Sequence, residues 1–278
     1  MFYAGAVNNA PPVALTIAGS DCCGGAGIQA DLKTFQYSQV HGLSALTCVV
    51  SETPKIVKAV HAIPVDMIES QVSLLLESYP VAAIKTGMLH NREAIEVLSR
   101  CLVKHPSIPV VVDPVMVASS GSPLIEEDAI EAYRDHLFPE ATIITPNLHE
   151  IEILLRTSVG DLDALEQAAL QLALETDSAI LAKGGHLHDD NCTDFLAIGD
   201  TSTQFSHPRL SDADTHGTGC TLAAAIAAQL ALGKELEPAV RNAIDYLAAA
   251  LRSRYRFEHP VDIQALNQGT QPKSLDSC

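Results

Sequence analysis

The stretch SDADTHGTGCTLAAAIAA, residues 211–228, joins a glycine-rich turn to a run of strong helix formers. Gly217 and Gly219 permit a tight turn, and a helix is predicted over residues 220–232. The first N–H groups of a helix have no acceptor within it, and the helix dipole adds positive potential at that end. The junction therefore predicts an anion site suited to phosphate. An ordinary glycine-rich helix entry is the alternative, because short Gly-Thr-Gly strings are common.

Cys220 lies at the start of that predicted helix. A thiol in this position is expected to have a lowered pKa, which makes the thiolate more accessible. A buried core cysteine is the alternative. The chain has seven cysteines, an odd number, with no CxxC pair and no spacing typical of a zinc site. Reduced thiols are therefore predicted.

Outward from this stretch, apolar strand patterns alternate with helical patterns. The predicted strands cover residues 13–18, 44–50, 57–63, 81–85, 110–113, 142–145, 180–183, 195–198 and 204–206. The predicted helices cover residues 28–39, 64–79, 92–104, 126–137, 148–155, 162–175, 220–232 and 235–255. This alternation indicates an α/β fold in which a parallel sheet has helices on both faces. Ligands of such sheets bind outside the carboxyl ends of the strands.

The composition excludes several classes of protein. Hydrophobic residues make up 47% of the 278 residues, which is typical of a globular chain with a substantial core. The net charge of −17 argues against a nucleic-acid partner or an anionic membrane surface. The N-terminus shows no signal-peptide pattern, and no apolar run approaches the roughly 20 residues of a membrane span. These features predict a soluble cytoplasmic protein.

Polar residues at the strand ends are candidates for binding phosphate and metal. Neither a GxxxxGK[ST] loop nor a GxGxxG fingerprint occurs, so other elements must bind phosphate. Lys183 could contact a nucleotide phosphate as a point charge, or it is a surface lysine before a turn. Asp113 ends an apolar run, where a carboxylate is costly unless it is solvated, paired or metal-bound. Asp113 and Glu150 suit Mg²⁺, although a helix acid favoured by the dipole is the alternative for Glu150.

Six blocks of sequence carry a resemblance to a known family. They are TIAGSDCCGGAGIQADLKTF (16–35), KTGML (85–89), VVDPVM (111–116), TPNLHE (145–150), KGGH (183–186) and THGTGCT (215–221). Together they resemble the hydroxymethylpyrimidine/phosphomethylpyrimidine kinases of the ribokinase-like superfamily, over about residues 13–255. The resemblance implies one ribokinase-like domain over residues 13–258, a three-layer α/β/α sandwich whose central sheet is mostly parallel, with a small β element near the substrate. Residues 1–12 are then a flexible lead-in and 259–278 a polar tail, loosely held from Gln264.

The implied activity is ATP-dependent phosphorylation of 4-amino-5-hydroxymethyl-2-methylpyrimidine, and then of its monophosphate, in thiamine biosynthesis. Four residues at the helix start would hold the transferred phosphoryl group: Gly217, Thr218, Gly219 and Cys220. Cys220 would also stand where the wider superfamily has an aspartate base. The resemblance implies that Mg²⁺ is organised by Asp113 and Glu150, and that the nucleotide is contacted by Lys183, Asn147 and Thr145. It also implies a homodimer.

The implied pyrimidine pocket contains Gly19, Asp21, Glu52, Met88 and Val115. A carboxylate at Glu52 can accept a hydrogen bond from the ring's amino group, although a solvent-exposed loop acid is the alternative. The chain departs from many relatives at three places. It has Cys22-Cys23 where proline and serine occur, Glu52-Thr53-Pro54 where Gln-Asn-Thr occurs, and Ser119 where lysine is frequent. The first two bear on substrate preference, and the third bears on how the lid holds phosphate.

Three alternative functions stay open at this point. A pyridoxal or pyridoxine kinase accepts a ring of similar size that also bears a hydroxymethyl group. A catalytically silent pyrimidine- or nucleotide-binding regulator could keep the fold, although intact Cys220, Lys183, Asp113 and Glu150 argue against it. A sugar kinase is disfavoured because Cys220 replaces the expected aspartate.

Overall fold

Strands and helices alternate along the computed structural model, which describes residues 10–117, 125, 127–185, 187, 191–210 and 216–269. The strands are β1 (Val13–Asp21), β2 (His41–Thr53), β3 (Ile56–Ala62), β4 (Val81–Thr86), β5 (Val110–Val112), β6 (Ile143–Ile144), β7 (Ala179–Lys183), β8 (Asn191–Ile198), β9 (Thr201–Pro208), β10 (Tyr255–Phe257) and β11 (Ile263–Ala265). The helices are α1 (Gly27–Tyr37), α2 (Val65–Ser78), α3 (Arg92–Leu102), α4 (Glu127–Ala132), α5 (Leu148–Leu155), α6 (Leu162–Thr176), α7 (Thr218–Ala231) and α8 (Leu236–Arg252). None of the described helices is long and apolar enough to cross a membrane.

The central sheet has nine strands in the described part of the chain, in the order β3-β2-β1-β4-β5-β6-β7-β8-β9. The six strands from β2 to β7 in this order pair in parallel, whereas β3, β8 and β9 pair antiparallel at the two edges. The mostly parallel α/β architecture predicted from the sequence is therefore confirmed. The hairpin of β2 and β3 is the part of the sheet that extends over the site described below.

Both faces of the parallel strands are covered, which explains their uninterrupted apolar sequences. On one face, α1, α7 and α8 pack with residues such as Ala14 and Val111. On the other, α2, α3, α5 and α6 pack with residues such as Leu15 and Val112. Alternate residues of one strand thus point into two separate cores, and the fold has three layers.

Two predicted elements differ from the structure. The helix predicted over 126–137 is α4 followed by a π-helical turn over Tyr133–Leu137 and a 3₁₀ turn over Phe138–Glu140. Pro139 cannot supply the amide that would continue an α-helix, so the chain leaves the helix there. The tail predicted to be loosely held from Gln264 is instead packed as far as Gly269. It contains β11, which pairs with β10, and it buries Leu266 and Gln268.

The remaining differences fall at element boundaries or outside the described residues. Helix α7 begins two residues earlier than predicted, at Thr218, and β2 extends to Thr53. Residues 1–9 of the predicted lead-in, Ser119 of the predicted lid and residues 270–278 of the predicted tail lie outside the described residues.

Candidate active site

One cavity of about 390 Å³ opens at the carboxyl ends of the parallel strands, where the topology predicts a ligand site. It brings together residues that are far apart in the sequence. Of the residues predicted for phosphate, nucleotide, metal and ring, those that line it are Gly19, Asp21, Glu52, Met88, Asp113, Val115, Asn147, Glu150, Lys183, Gly217, Thr218, Gly219 and Cys220. Of the polar strand-end residues predicted to converge, Asp21, Lys85, Asp113, Asn147 and Lys183 line this cavity, whereas Ser20 and Thr86 do not.

The start of α7 forms one wall of the cavity, and glycine is required there for two reasons. Gly217, the residue before the helix, has φ of 80°, a left-handed conformation that side chains rarely adopt. A Cβ on Gly217 would also lie 2.0 Å from the carbonyl oxygen of Gly25. At Gly219 an added Cβ would lie 3.2 Å from Lys183 Nζ and 3.6 Å from Asp113 Oδ2. The positive end of the helix dipole therefore faces the lysine and the carboxylate at close range.

Lys183 and Asp113 form an ion pair at this wall, with Nζ 3.2 Å from Oδ1. Burial opposes the charged form of the lysine, but Asp113 and Glu150 outweigh it and raise the pKa of Lys183. The lysine is therefore a cation on the cavity wall. Thr145, which was predicted to contact the nucleotide, is fully buried and is not on the cavity wall. Its hydroxyl donates to Asp113 Oδ1 over 3.3 Å, so it orients the carboxylate from behind.

Asn147 and Glu150 form a capping box at the start of α5. The Asn147 side chain accepts from the Glu150 amide at 3.0 Å, and Glu150 Oε2 accepts from the Asn147 amide at 2.8 Å. The other oxygen, Oε1, accepts from the Met116 amide at 3.2 Å. Burial, with a contribution from Asp113, raises the pKa of Glu150 despite Lys183 and these amides. Glu150 is therefore a helix-capping acid, as the alternative interpretation predicted, and it also lines the cavity.

The expectation of a lowered thiol pKa at Cys220 is wrong. Burial raises the pKa of Cys220 to about 11, with smaller contributions from the carboxylates of Asp113 and Asp31, although Lys85 and the Gly27 amide act in the other direction. The dipole at the helix start was visible in the sequence, but the burial of Cys220 was not. At neutral pH Cys220 is therefore a neutral thiol, and a proton must leave it before it can accept one.

The opposite wall of the cavity is apolar. Met88 and Val115 pack with Cys48 and Val50 in a small separate hydrophobic cluster under the β2–β3 hairpin. Glu52 lies at the edge of this wall, half-buried, and burial and the charge of Asp21 raise its pKa. The backbone of Glu52 contacts Cys22, whose Sγ lies 3.2 Å from the Glu52 carbonyl oxygen and 3.4 Å from its amide nitrogen. Two of the departures from the family pattern, Cys22 and Glu52, thus touch each other.

Asp21 ends β1 and organises the loop that follows. Its Oδ1 accepts from the Cys23 amide, and its Oδ2 accepts from the amides of Gly25 and Ala26. His216 Nε2 lies 3.1 Å from the same Oδ2. Although burial opposes ionisation, the hydrogen bonds from His216, Cys23 and the loop lower the pKa of Asp21. The same pairing raises the pKa of His216 to about 10. Asp21 and His216 are therefore an ion pair at the cavity edge.

Sequence reasoning predicted Lys85 as a polar strand-end residue of this region but gave no role to its partner, Asp31. Lys85, at the cavity floor, has its Nζ 2.9 Å from Asp31 Oδ2, and neither side chain has any exposed area. The Thr16 hydroxyl donates to the same carboxylate oxygen at 2.6 Å. A signal for Asp31 was present, because it lies three residues after Ile28 and four before Phe35, on the buried face of α1.

The geometry can now be compared with known proteins. A family model described as phosphomethylpyrimidine kinase matches residues 21–263. The chain belongs to this family. A relative named hydroxymethylpyrimidine/phosphomethylpyrimidine kinase, from Synechococcus elongatus, is 43% identical over 244 residues, which are 87% of this chain and 92% of the relative. The resemblance found in the six sequence blocks is therefore confirmed, and the phosphomethylpyrimidine kinase family is one of phosphotransferases.

Two solved structures support the same ribokinase-like fold. The pyridoxal kinase of Staphylococcus aureus in complex with ADP superposes with a TM-score of 0.85 at 34% identity, covering 94% of each chain. A phosphomethylpyrimidine kinase of Clostridium difficile superposes with a TM-score of 0.75 at 35% identity, covering 85% of this chain and 97% of its own. Members and structural neighbours of the phosphomethylpyrimidine kinase family thus include enzymes named for two different ring substrates.

Proposed function

We propose that this protein transfers the γ-phosphoryl group of ATP to 4-amino-5-hydroxymethyl-2-methylpyrimidine and then to its monophosphate, in thiamine biosynthesis. The observation that carries the proposal is the single cavity that joins two chemically different ends. One end combines the start of α7 with Lys183 and Asp113, and the other combines Glu52 with the apolar side chains of Met88 and Val115. A charged phosphate end beside an apolar ring end is what an alcohol kinase with an aromatic acceptor requires.

At the phosphate end, this chain supplies positioning and charge. Phosphoryl transfer through a loose transition state depends on both more than on a strong base. The amides around Gly219 would face the transferred group, and Lys183 would exchange its contact with Asp113 for one with a phosphate oxygen. Because the pKa of Cys220 is raised to about 11, we infer that only the minor thiolate form, which has lost its proton to solvent, accepts the proton of the acceptor hydroxyl during transfer. The amides therefore contribute more than the sulfur.

At the ring end, Glu52 would accept a hydrogen bond from the exocyclic amino group, while Met88 and Val115 would pack against the ring faces. Gly19, which lines this end of the cavity, leaves no room for a side chain of its own, because a Cβ there would lie 2.7 Å from Cys48 Sγ. Asp21, whose oxygens are held by the loop and His216, would shape this end of the pocket rather than bond the ring directly.

The donor set fits Mg²⁺ as the companion of ATP. Two carboxylates, Asp113 and Glu150, reach the same cavity, and Mg²⁺ binds few carboxylates together with water and phosphate oxygens. Asp113 Oδ2 faces the start of α7 and is the better-placed ligand. Both oxygens of Glu150 already accept backbone amides, so Glu150 suits a contact through water. The ion would neutralise charge on the phosphates.

Product analysis tests the proposal directly. The purified chain would be incubated with ATP, Mg²⁺ and the hydroxymethylpyrimidine, and the products identified by mass spectrometry. The proposal expects both the monophosphate and the diphosphate, with Cys220→Ala prepared identically as the control for contaminating kinases. If the monophosphate formed but was never converted to the diphosphate, the second phosphorylation would be removed from the proposed function. The absence of any phosphorylated product would overturn the whole proposal.

Pyridoxal or pyridoxine is a second candidate acceptor, and one observation favours it. The structural likeness to the Staphylococcus aureus pyridoxal kinase is greater than that to the Clostridium difficile phosphomethylpyrimidine kinase, with TM-scores of 0.85 and 0.75. Steady-state kinetics on both alcohols would decide between them. A higher kcat/KM for pyridoxal would make the pyrimidine a side substrate. Turnover of the pyrimidine monophosphate would favour thiamine biosynthesis.

A cytoplasmic location and a homodimer complete the proposal, and both rest on the family resemblance. Sedimentation of the purified chain tests the dimer.

A further inference from the structure

Three ligand-type side chains meet at the edge of the cavity in a way that the proposed function does not use. Cys23 Sγ lies 3.1 Å from Asp21 Oδ2 and 3.6 Å from His216 Nε2. His216 Nε2 lies 3.1 Å from the same carboxylate oxygen. A thiol, an imidazole and a carboxylate thus form a triangle in which each offers one ligand atom.

The sides of this triangle match those of a tetrahedral zinc site. With ligand distances of about 2.0–2.3 Å, two ligand atoms of tetrahedral zinc lie about 3.3–3.6 Å apart. The three observed separations, 3.1, 3.1 and 3.6 Å, differ from this range by a few tenths of an ångström at most. A cation could therefore take the place of the protons that now link these atoms, with only small side-chain shifts.

The surrounding backbone holds the carboxylate in position for such a role. Asp21 Oδ2 accepts from the Gly25 amide at 3.0 Å and from the Ala26 amide at 2.8 Å, while Oδ1 accepts from the Cys23 amide at 2.8 Å. These hydrogen bonds fix the carboxylate, and a cation at Oδ2 would share that oxygen with the Gly25 and Ala26 amides. Gly25 also leaves space for the imidazole, because a Cβ there would lie 2.9 Å from His216 Cδ2.

We propose that Cys23, His216 and Asp21 form a binding site for a thiophilic divalent cation of the Zn²⁺ class. Thiolate and imidazole ligands select such ions over Mg²⁺, which prefers oxygen ligands, so the site is chemically distinct from Asp113 and Glu150. Cys23 is exposed, Asp21 is buried, and both Asp21 and His216 line the cavity. Three protein ligands leave a fourth position for water or a ligand atom.

Cys23 supplies the sulfur ligand of the site. The cysteine spacing gave no indication of a zinc site, because Cys23 and His216 are 193 residues apart in the sequence. The metal site itself does not rest on the proposed kinase function, because its ligands are defined by geometry alone.

Cobalt titration of the reduced full-length chain tests the site, because Co²⁺ reports a bound thiolate through a ligand-to-metal charge-transfer band in the near ultraviolet. The native protein should bind one Co²⁺ per chain with this band and release it when Zn²⁺ is added. Cys23→Ser should lose the band and bind the metal about 100-fold more weakly or worse. His216→Asn should also weaken binding by about 10-fold or more.

Cys22→Ser is the matched control, because Cys22 is the adjacent exposed cysteine and contacts Glu52 instead of the cluster. It should keep the band and the native affinity. Thermal unfolding separates binding from misfolding: Zn²⁺ should raise the Tm of the native protein and of Cys22→Ser, but not that of Cys23→Ser. A band that survives in Cys23→Ser, an unchanged affinity in His216→Asn, or no Co²⁺ binding by the native chain would overturn the proposal.

Discussion

Two lysine–aspartate pairs of similar chemistry lie near the ends of strands β4 and β7, and they differ in their access to the cavity. Lys85 Nζ is 2.9 Å from Asp31, and both side chains are fully buried. Lys183 Nζ is 3.2 Å from Asp113, and these side chains are 15% and 4% exposed. Lys85 borders the cavity only as a fully buried side chain, whereas Lys183 is partly exposed there and lies beside the start of α7.

The difference separates a structural ion pair from one that can take part in binding. A fully buried charge that loses its partner cannot be solvated, so Lys85 and Asp31 must stay together. Lys183 is partly exposed at the cavity, and under the proposed function it would change its partner when a phosphate enters. Both pairs interact electrostatically with Cys220, since charges of Lys85, Asp113 and Asp31 all shift its pKa. Variants of the two lysines and of Cys220 therefore test this comparison.

The largest effect is expected from Lys85→Met, which leaves the Asp31 carboxylate buried without its cation. We expect a loss of about 3–5 kcal/mol in the free energy of unfolding, measured by urea denaturation. The double variant Lys85→Met, Asp31→Asn is the control, and it should recover part of the loss because no net charge stays buried. Lys183→Met should cost less stability, because water can reach Asp113 from the cavity. Equal losses for the two lysines would contradict the comparison.

Cys220→Ala tests the group that lies between the two pairs. We expect kcat to fall by about 100-fold, the scale typical of a group that moves a proton, with little change in the free energy of unfolding. Single-turnover kinetics with ATP in excess would separate a slower chemical step from slower product release. The control is Cys192→Ala, a half-buried cysteine on β8 that does not line the cavity. Turnover close to that of the native protein would remove Cys220 from the mechanism.

The same pairs show how far sequence reasoning extends. Lys183 and Asp113 could be predicted to meet, because each ends an apolar strand and the carboxyl ends of parallel strands share one edge of the sheet. The raised pKa of Cys220 could not be predicted, since it depends on burial and on carboxylates that come from α1 and β5 through tertiary packing. The packed tail was missed for a similar reason. Tyr255 and Phe257 alternate with Arg256, but three residues are too few to predict a strand, and only their pairing with residues 263–265 defines β10 and β11.

Lys183→Gln tests the second pair through nucleotide affinity. Loss of a charged contact to a phosphate should raise the KM for ATP by about tenfold, equivalent to about 1.4 kcal/mol, while the KM for the pyrimidine changes little. Initial rates at varied ATP and fixed pyrimidine measure this. Lys33→Gln, an exposed lysine of α1 that contacts the Gly24 carbonyl, should leave both constants near their native values. An unchanged KM for ATP in Lys183→Gln would mean that Lys183 only neutralises the charge of Asp113, as Lys85 does for Asp31, and does not bind the nucleotide.

The smallest effect is expected at the ring end of the cavity, from Glu52→Gln. Glutamine keeps a carbonyl acceptor for the exocyclic amine but loses the charge, so the KM for the pyrimidine should rise by about threefold to tenfold. Burial and the charge of Asp21 raise the pKa of Glu52, so the native protein should lose its carboxylate, and some of its affinity, as the pH falls through that raised pKa. The Glu52→Gln protein has no such group and should show a flatter dependence. Because protonation of the pyrimidine itself is common to both proteins, the difference between their two pH profiles isolates Glu52. Superimposable profiles would mean that the ring is held by its apolar contacts with Met88 and Val115, and that the charged groups which matter are all at the phosphate end.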